Sequence, residues 1–279
     1  MSDDLESPAR ARFAALLQRD PIPLDAAALA IAQEEYPHLD AGAYLARLDA
    51  LGARVARAGG TGRAASLLRA LRAVLHDEEG LRGNEEDYSD PRNSYLNDVL
   101  DRRLGIPISL SAIYIEVARR AGLTLAGVGF PGHFLAKYVS ASGVEVFVDA
   151  FRGGEMLSAD ECVARYRART SGQVLDARHL EAVSTRQILA RMLQNLRLVH
   201  QERRDDVRAY WVLDRLLLVA PGQLEALRDR GRAAARLGGP AAAARDLAAY
   251  LKAAPGAADA ADIRAELSHL AGGRKPLLN

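Results

Sequence analysis

The stretch GIPISLSAIYIEVARRAG, residues 105–122, decides how the chain is interpreted. A glycine and a proline precede a mostly apolar run with helical spacing, so the pattern predicts a loop that leads into a buried helix. The start of a helix favours negative charge, because its first backbone N–H groups have no partner within the helix. Many hydrolases and acyl transferases keep a nucleophilic cysteine at such a point. This stretch has no cysteine, and its only hydroxyl candidates near the helix start are Ser109 and Ser111.

Composition limits the classes of partner. The chain has 279 residues, with 37 basic against 36 acidic side chains and a net charge of +1. Such a balance creates no global field that would attract nucleic acid or an anionic membrane, so we expect neither as a partner. One cysteine, Cys162, cannot form an internal disulfide or a cysteine-based zinc site. We therefore expect no metal and no cofactor, and a reducing compartment.

The location expected from the sequence is the cytoplasm. The opening MSDDLESPARARFAALLQRD, residues 1–20, has acidic residues where a signal peptide has basic ones, and it has no apolar core. No later stretch stays apolar over the length that a bilayer requires, so no membrane-spanning helix is expected.

The first predicted region, residues 1–80, is helical. Alanine and leucine recur with helical spacing, and the segments DPIP at 20–23 and AGGTG at 58–62 interrupt the pattern, as does Pro37. We expect three or four short helices with a packing role.

The second predicted region, residues 81–180, combines helices and strands. A polar loop leads into a short amphipathic helix within 83–105, which we expect to end at Gly105. After the buried helix come LAGVGF, HFLAKYV and VEVFVDAF, three runs rich in β-branched and aromatic residues and separated by turn signals. The expected fold is α+β, in which the central helix covers one face of a small antiparallel sheet.

The third predicted region, residues 181–279, has an internal repeat. The separation of Pro221 from Pro255 equals the tetratricopeptide (TPR) period of about 34 residues. The same shift superimposes apolar positions, namely Ala209 on Ala243, Leu213 on Leu247 and Leu217 on Leu251. We expect TPR-like helical pairs, with 257–271 as a terminal capping helix. Such repeats usually bind an extended peptide or a helix of another protein, and a purely structural role is the alternative.

His133 and Asp149 are the strongest candidates for chemistry. His133 follows FPG at the start of one predicted strand, and Asp149 lies at the end of the next strand. Adjacent antiparallel strands can bring two such side chains together, and the carboxylate would then orient the imidazole as a general base requires. Ser109, at the start of the central helix, would be the nucleophile of a catalytic triad.

Structural roles compete with this hypothesis. Ser109 could be a helix N-cap, and Ser111 could be buried with its hydroxyl bonded to a carbonyl group. Asp149 could cap the following FRGG turn, and His133 could satisfy a loop carbonyl. A further hypothesis is a small-molecule pocket at His133, and the predicted binding residues are Asn93, Ser94, Asn97, Pro107 and Ser111.

The sequence resembles a known family. The stretches NSYLNDVLDRRLGIPISLSAIYIEVARRAGL, GVGFPGHFLAKY and FVDAFRGGEML are similar to those of the SirB-type transglutaminase-like proteins, in which this core is joined to TPR repeats. The similarity is dense across 85–160. It implies a core like that of transglutaminases and papain-like proteases, in which a cysteine at a helix start, a histidine and an aspartate perform acyl transfer.

The resemblance places only two of the three catalytic residues. His133 falls on the family's histidine and Asp149 on its aspartate, but the cysteine of the G-x-C pattern falls on Pro107. Ala150 is a second departure, since related sequences often have proline after the aspartate. We therefore expect a non-catalytic protein that binds another protein or peptide through its cleft and its TPR-like tail. The alternative is a serine-dependent hydrolase or acyl transferase that uses Ser109, His133 and Asp149.

Overall fold

The computed structural model of the chain describes residues 7–60 and 62–272, so the first six residues of the quoted opening lie outside the described part. Two units are distinguished within it. One runs from Arg12 to Met192, and the other combines residues 7–11 with 193–272. The predicted regions 1–80 and 81–180 therefore share most of one unit. The three-part division by domain remains a prediction.

The N-terminal region is helical, as predicted. Asp40 begins the longest of its helices by accepting a hydrogen bond from the backbone N–H of Ala43 at 3.2 Å. Leu48, Leu51 and Val55 form the buried face of that helix. The helices are α1 (Pro8–Leu16), α2 (Leu24–Glu35), α3 (Ala41–Gly59) and α4 (Ala64–Arg72), followed by a π-helical turn, Ala73–Glu78.

The short helix α5 (Leu96–Arg102) ends before the predicted position. Arg103 has a left-handed backbone, with φ of 63°, and closes the helix there. Leu104–Gly105 instead forms strand β2, which pairs in parallel with β1 (Arg82–Gly83). Gly105 is required for a different reason from the one predicted, because a Cβ atom there would lie 2.9 Å from the Ser109 hydroxyl oxygen. The glycine allows the strand to approach the next helix closely.

The central helix α6 (Pro107–Arg120) is buried from Pro107 to Ala118, as the opening stretch predicts. Proline at its first position loses no hydrogen bond, because that N–H has no partner inside a helix. The helix packs against α3 on one side and against strands of the sheet on the other. Its start is thereby fixed near the ends of those strands.

A five-stranded antiparallel sheet completes this unit. The three predicted strands are confirmed as β3 (Ala126–Val128), β4 (Leu135–Val139) and β5 (Glu145–Asp149). Two further strands, β6 (Glu155–Leu157) and β7 (Ala182–Val183), extend the sheet in the order β6-β5-β4-β3-β7. Helix α7 (Ala159–Arg169) covers one face, where Cys162 packs with Phe147 and Leu157.

The tail is helical with the predicted repeat. Its helices are α8 (Thr185–Glu202), α9 (Asp206–Val219), α10 (Leu224–Arg236), α11 (Pro240–Ala253) and α12 (Ala260–Gly272). Ala209 and Ala243 are buried, as are Leu213 and Leu247, which agrees with the predicted shift between repeats. The terminal helix α12 matches the predicted capping helix. In the described part of the chain, no helix has both the length and the apolar character needed to cross a bilayer.

Candidate functional site

The structure brings His133 and Asp149 together. His133 follows the turn that precedes β4, and its backbone N–H donates to the Phe130 carbonyl at 2.9 Å. Asp149 is the last residue of β5. The His133 Nε2 atom lies 2.9 Å from Asp149 Oδ1, and the two side chains are 16% and 3% exposed. An ionised carboxylate can only accept, so Nε2 carries the proton in this hydrogen bond.

The turn after β5 fixes the carboxylate of Asp149. The Arg152 backbone N–H donates to Asp149 Oδ1 at 3.1 Å, and the Gly154 N–H donates to the Asp149 carbonyl at 2.8 Å. Gly153 and Gly154 both have positive φ, and a Cβ atom on Gly153 would collide with the ring of His76. Asp149 therefore does two things at once, since it caps this turn and holds the imidazole.

Aromatic rings fix the other side of His133. The His133 and Phe151 ring centroids are 5.9 Å apart with an interplanar angle of 88°, and Phe151 makes a similar edge contact with Tyr88 at 6.2 Å. Gly83 allows the Phe151 ring to lie against the backbone of β1. Within the described residues, His133 Nδ1 makes no hydrogen bond. That nitrogen is available to a ligand.

A cavity of about 710 Å³ opens at this pair. Pro107, the first residue of α6, lines the cavity together with His133 and Asp149. The helix start and the histidine therefore line the same cavity, and the residue at that helix start is a proline. Further wall residues are Tyr88, Phe130, Leu135, Phe151, Leu157 and Cys162.

Ser109 lies apart from the cavity walls. It is fully buried, and its hydroxyl donates to the Asn93 carbonyl at 2.6 Å. The same oxygen accepts from the backbone N–H of Ile106, the residue before α6, at 3.1 Å. Ser109 therefore has a capping role in modified form: from the third helical position it accepts from the Ile106 N–H, which also donates to the Asn93 carbonyl at 3.4 Å.

Of the predicted binding residues, Pro107 lines the cavity and the others do not. Asn93 is fully buried, and its amide donates to the Asp87 carbonyl at 2.7 Å and accepts from Asn84 at 3.0 Å. The Ser111 hydroxyl donates to the Phe134 carbonyl at 3.4 Å. Ser94 and Asn97 are buried as well, and neither lines the cavity. The predicted pocket wall differs from these cavity walls: Asn93 and Ser111 bond to groups inside the protein, and Asn97 Oδ1 is buried without a hydrogen-bond partner among the described residues.

Cys162 lines the cavity, although no pattern in the sequence placed it there. It is 1% exposed, and burial raises the pKa of its thiol to about 11. The thiol therefore stays protonated near neutral pH, and the protonated form is a poor nucleophile. The capping box between Ser158 and Glu161 is the sequence signal that could have located helix α7 and its inward-facing residues.

Arginines on α7 and on the turn after β5 were also missed. Arg152, Arg165 and Arg169 line the cavity, and Glu85 lies on the loop opposite. Among residues 7–60 and 62–272, no three histidine, cysteine or acidic side chains are grouped so that they could hold a metal ion.

This geometry is typical of a transglutaminase-like core: a helix start shares a cavity with a His–Asp pair, in which the histidine lies in the turn before one strand and the aspartate ends the neighbouring antiparallel strand. Comparison with protein families agrees. Residues 42–194 match the transglutaminase-like superfamily, and residues 196–268 match the tetratricopeptide repeat. No solved structure is similar enough to match.

Similar proteins extend over most of the chain. A UPF0162 protein of Xylella fastidiosa is 40% identical over 272 residues, which cover 93% of this chain and 94% of that protein. A UPF0162 protein of Pseudomonas aeruginosa is 31% identical over 210 residues, covering 74% and 75%. F-box only protein 21 of Homo sapiens is 36% identical over 137 residues, covering 47% of this chain and 21% of that protein. The chain therefore belongs to the transglutaminase-like superfamily and, within it, to the UPF0162 family.

Proposed function

We propose that this chain is a non-catalytic, protein-binding member of its superfamily, which binds a partner through the cleft at His133 and through its repeats. The observation that carries the proposal is the composition of the cleft. Pro107 occupies the helix start that lines the same cavity as His133 and Asp149, and proline has no nucleophilic atom. An imidazole held by a carboxylate has no protein nucleophile to activate at that position.

The two other candidate nucleophiles are poor ones. The Ser109 hydroxyl is bonded to a buried carbonyl and does not line the cavity. Serine is also much less reactive than cysteine near neutral pH, and a helix start supplies only about 0.3–1 kcal/mol. Loss of a triad member costs on the order of a thousandfold in rate or more, so the helix cannot compensate. The raised pKa of Cys162 keeps its thiol protonated near neutral pH and makes it a poor nucleophile.

The repeats support the binding half of the proposal. Residues 196–268 match a repeat whose usual use is to bind another protein or peptide. Leu198 on α8 and Val207 on α9 are 56% and 62% exposed, and exposed apolar side chains of this size are candidates for contact with a partner. Because the net charge is close to zero, we propose that the partner is neither nucleic acid nor a membrane. We also propose a cytoplasmic setting.

Turnover assays test the absence of catalysis. The wild-type protein is incubated with fluorogenic amide and ester substrates and, separately, with a glutamine peptide and a fluorescent amine. We expect no turnover above the rate measured for the His133→Ala variant. Turnover that disappears in His133→Ala, while the variant keeps its circular dichroism spectrum, contradicts the proposal.

The serine-dependent alternative has one observation in its favour. The Nε2–Asp149 hydrogen bond leaves Nδ1 of His133 without a partner among the described residues, as a general base would require. This alternative predicts that Ser109→Ala and His133→Ala remove the same ester hydrolysis. Our proposal predicts that Ser109→Ala affects stability alone.

Affinity capture with point variants of the full chain tests binding. Ala168→Trp fills the mouth of the cavity from an exposed position on α7, and Ala164→Trp on the same helix is the control outside the cavity walls. Val207→Asp tests the repeats, and Val174→Asp is a control at an exposed valine elsewhere. We expect Ala168→Trp and Val207→Asp each to lose partners that the controls retain. Identical partners for all four variants contradict the proposal.

A further inference from the structure

The cavity combines an apolar interior with charged groups at its mouth. Phe130, Leu135 and Leu157 are each at most 5% exposed and form the inner wall. The volume of about 710 Å³ exceeds what one aliphatic side chain needs and lies within the range of ordinary ligand sites. An occupant must therefore bring apolar surface, and the charged groups decide what else it carries.

Two of the charged groups at the mouth already have partners within the protein. Arg165 makes a two-pronged ion pair with Glu155, at 2.9 and 2.5 Å. Asp149 accepts from His133 and from the Arg152 backbone N–H. Neither group offers its charge to a ligand without giving up an existing partner.

Two arginines keep their charge available. The Arg152 side chain is 64% exposed, and its ion pair with Asp149, from Nε to Oδ2 at 3.9 Å, is too long for a hydrogen bond and leaves its N–H groups open to a ligand. Arg169 donates to the backbone carbonyls of Pro131 and Gly132, and in the described residues it has no carboxylate partner. Its guanidinium carbon lies 5.9 Å from the centre of the Phe130 ring, which holds the charge against the apolar wall. Glu85 also lines the cavity and contributes a negative charge.

We propose that the cleft binds an acidic peptide segment of the partner, in which an Asp or Glu side chain pairs with Arg152 or Arg169 and a neighbouring apolar side chain enters the cavity. This inference rests on the proposed function and names the chemistry of the partner. Arginine is suited to the task because its planar guanidinium bonds a carboxylate through two N–H groups. Nucleic acid fits poorly, because it needs a continuous basic surface and the cavity wall is largely apolar.

Peptide selection identifies the preferred sequence. A display library of short random peptides is selected on the wild-type full-length protein and, in parallel, on the Ala168→Trp variant with the blocked cavity. We expect peptides specific to the wild type to be enriched in Asp or Glu next to Leu, Ile or Phe. The best peptide is then synthesised with each acidic residue replaced by Gln, and both forms are titrated by calorimetry.

Charge variants test the arginines directly. Arg152→Gln and Arg169→Gln are each expected to lower the affinity for the acidic peptide about fivefold, and the double variant should lower it more than tenfold. The affinity for the Gln form of the peptide should be the same in wild type and in these variants. Glu85→Gln should tighten the acidic peptide about twofold, because it removes a like charge. Arg167→Gln, on the same helix but outside the cavity walls, is the matched control and should have no effect.

The outcomes separate this inference from the proposed function. Wild-type-specific peptides without acidic residues, or equal affinity for the acidic and Gln forms, overturn the inference and leave the proposed binding role intact. If the library yields no peptide whose binding is sensitive to Ala168→Trp, both the acidic-peptide inference and the proposed binding role of the cleft are overturned. Acidic peptides that lose affinity in the double variant, but not in Arg167→Gln, support the inference.

Discussion

Two polar clusters lie behind and beside the same helix start, and they differ in what their hydrogen bonds leave free. Ser109 and Asn93 are fully buried, and their polar atoms bond to each other and to backbone groups of the loop and helix. His133 and Asp149 are bonded to each other, yet the imidazole keeps one nitrogen without a partner among the described residues and lines a cavity. The first cluster is complete without a ligand, and the second is not.

The comparison teaches that a hydroxyl at a helix start cannot be assigned by position alone. A buried donor or acceptor that is satisfied internally mainly supports the fold, because breaking it costs desolvation energy. A polar group that faces a cavity with an unused atom is available for binding. Variants of the two clusters test this distinction.

Asn93→Ala should lower the free energy of unfolding by about 3 kcal/mol. The variant removes hydrogen bonds to Asp87 and Asn84 and leaves buried groups without partners. Urea denaturation followed by circular dichroism measures the change, and Gln173→Ala, at an exposed amide, is the control. A loss below about 1 kcal/mol would mean that the Asn93 cluster does not hold the loop.

Ser109→Ala should lower the free energy of unfolding by about 2 kcal/mol, because it removes the bonds of the hydroxyl with the Asn93 carbonyl and the Ile106 N–H and leaves only the 3.4 Å bond between those two groups. Binding of the selected peptide should be unchanged at a temperature where the variant is folded. The control is Ser142→Ala in the exposed turn between β4 and β5, with an expected change of at most about 0.5 kcal/mol. A fully stable Ser109→Ala variant would remove the structural role assigned to this hydroxyl.

Pro107→Cys should create a reactive thiol where the protein has none. The new thiol would lie at a helix start in the cavity that also contains His133, and both features lower a thiol pKa. We expect alkylation by iodoacetamide at pH 7 at least tenfold faster than at Cys162, with most of the gain lost after His133→Ala. Mass spectrometry of each modified site measures the rates.

Ala164→Cys supplies the comparison for that experiment. This exposed position on α7 should react at the ordinary rate of a free thiol and should be insensitive to His133→Ala. Equal rates at positions 107 and 164, in both backgrounds, would show that the His–Asp pair does not influence the helix start.

Cys162 should make stability depend weakly on alkaline pH. Burial raises its pKa from 9.0 to about 11, so the folded state favours the neutral thiol. The contribution is fully present below about pH 9 and is lost as the pH rises through 11, because the unfolded chain then gains by ionising. We expect the stability advantage of wild type over Cys162→Ala to fall by about 1 kcal/mol between pH 8 and pH 10. An advantage that stays constant would mean that the thiol is not shielded.

Much of the fold is readable in the sequence because its signals are periodic. The tetratricopeptide repeat, the apolar face of α3 and the apolar runs that contain β3, β4 and β5 each extend over several residues. Strands β6 and β7 have three and two residues and do not lie within such a run. The end of α5 differs from the prediction because Arg103, which is not a glycine, adopts the left-handed conformation.

The candidate site was only partly readable. Asp149 ends β5, and His133 lies in the turn just before the neighbouring strand β4 and not at its start as predicted, so their spacing along the hairpin still carries the information. Cys162 and the arginines of α7 enter the cavity because that helix packs back on the sheet, and spacing along the chain does not encode this return. Asn93, Ser94 and Asn97 are polar residues near a helix start, a pattern compatible with either binding or support, and only the structure reveals their internal positions.

The edge-on contact between Phe151 and His133 gives the cleft a built-in spectroscopic probe. A ring 5.9 Å away and nearly perpendicular shifts the proton resonances of the imidazole through its ring current. Because Tyr88 touches the same phenyl ring from the loop, a ligand that moves the loop should also move those resonances. Two-dimensional NMR of histidine-labelled protein can thus follow occupancy of the cleft without any attached dye.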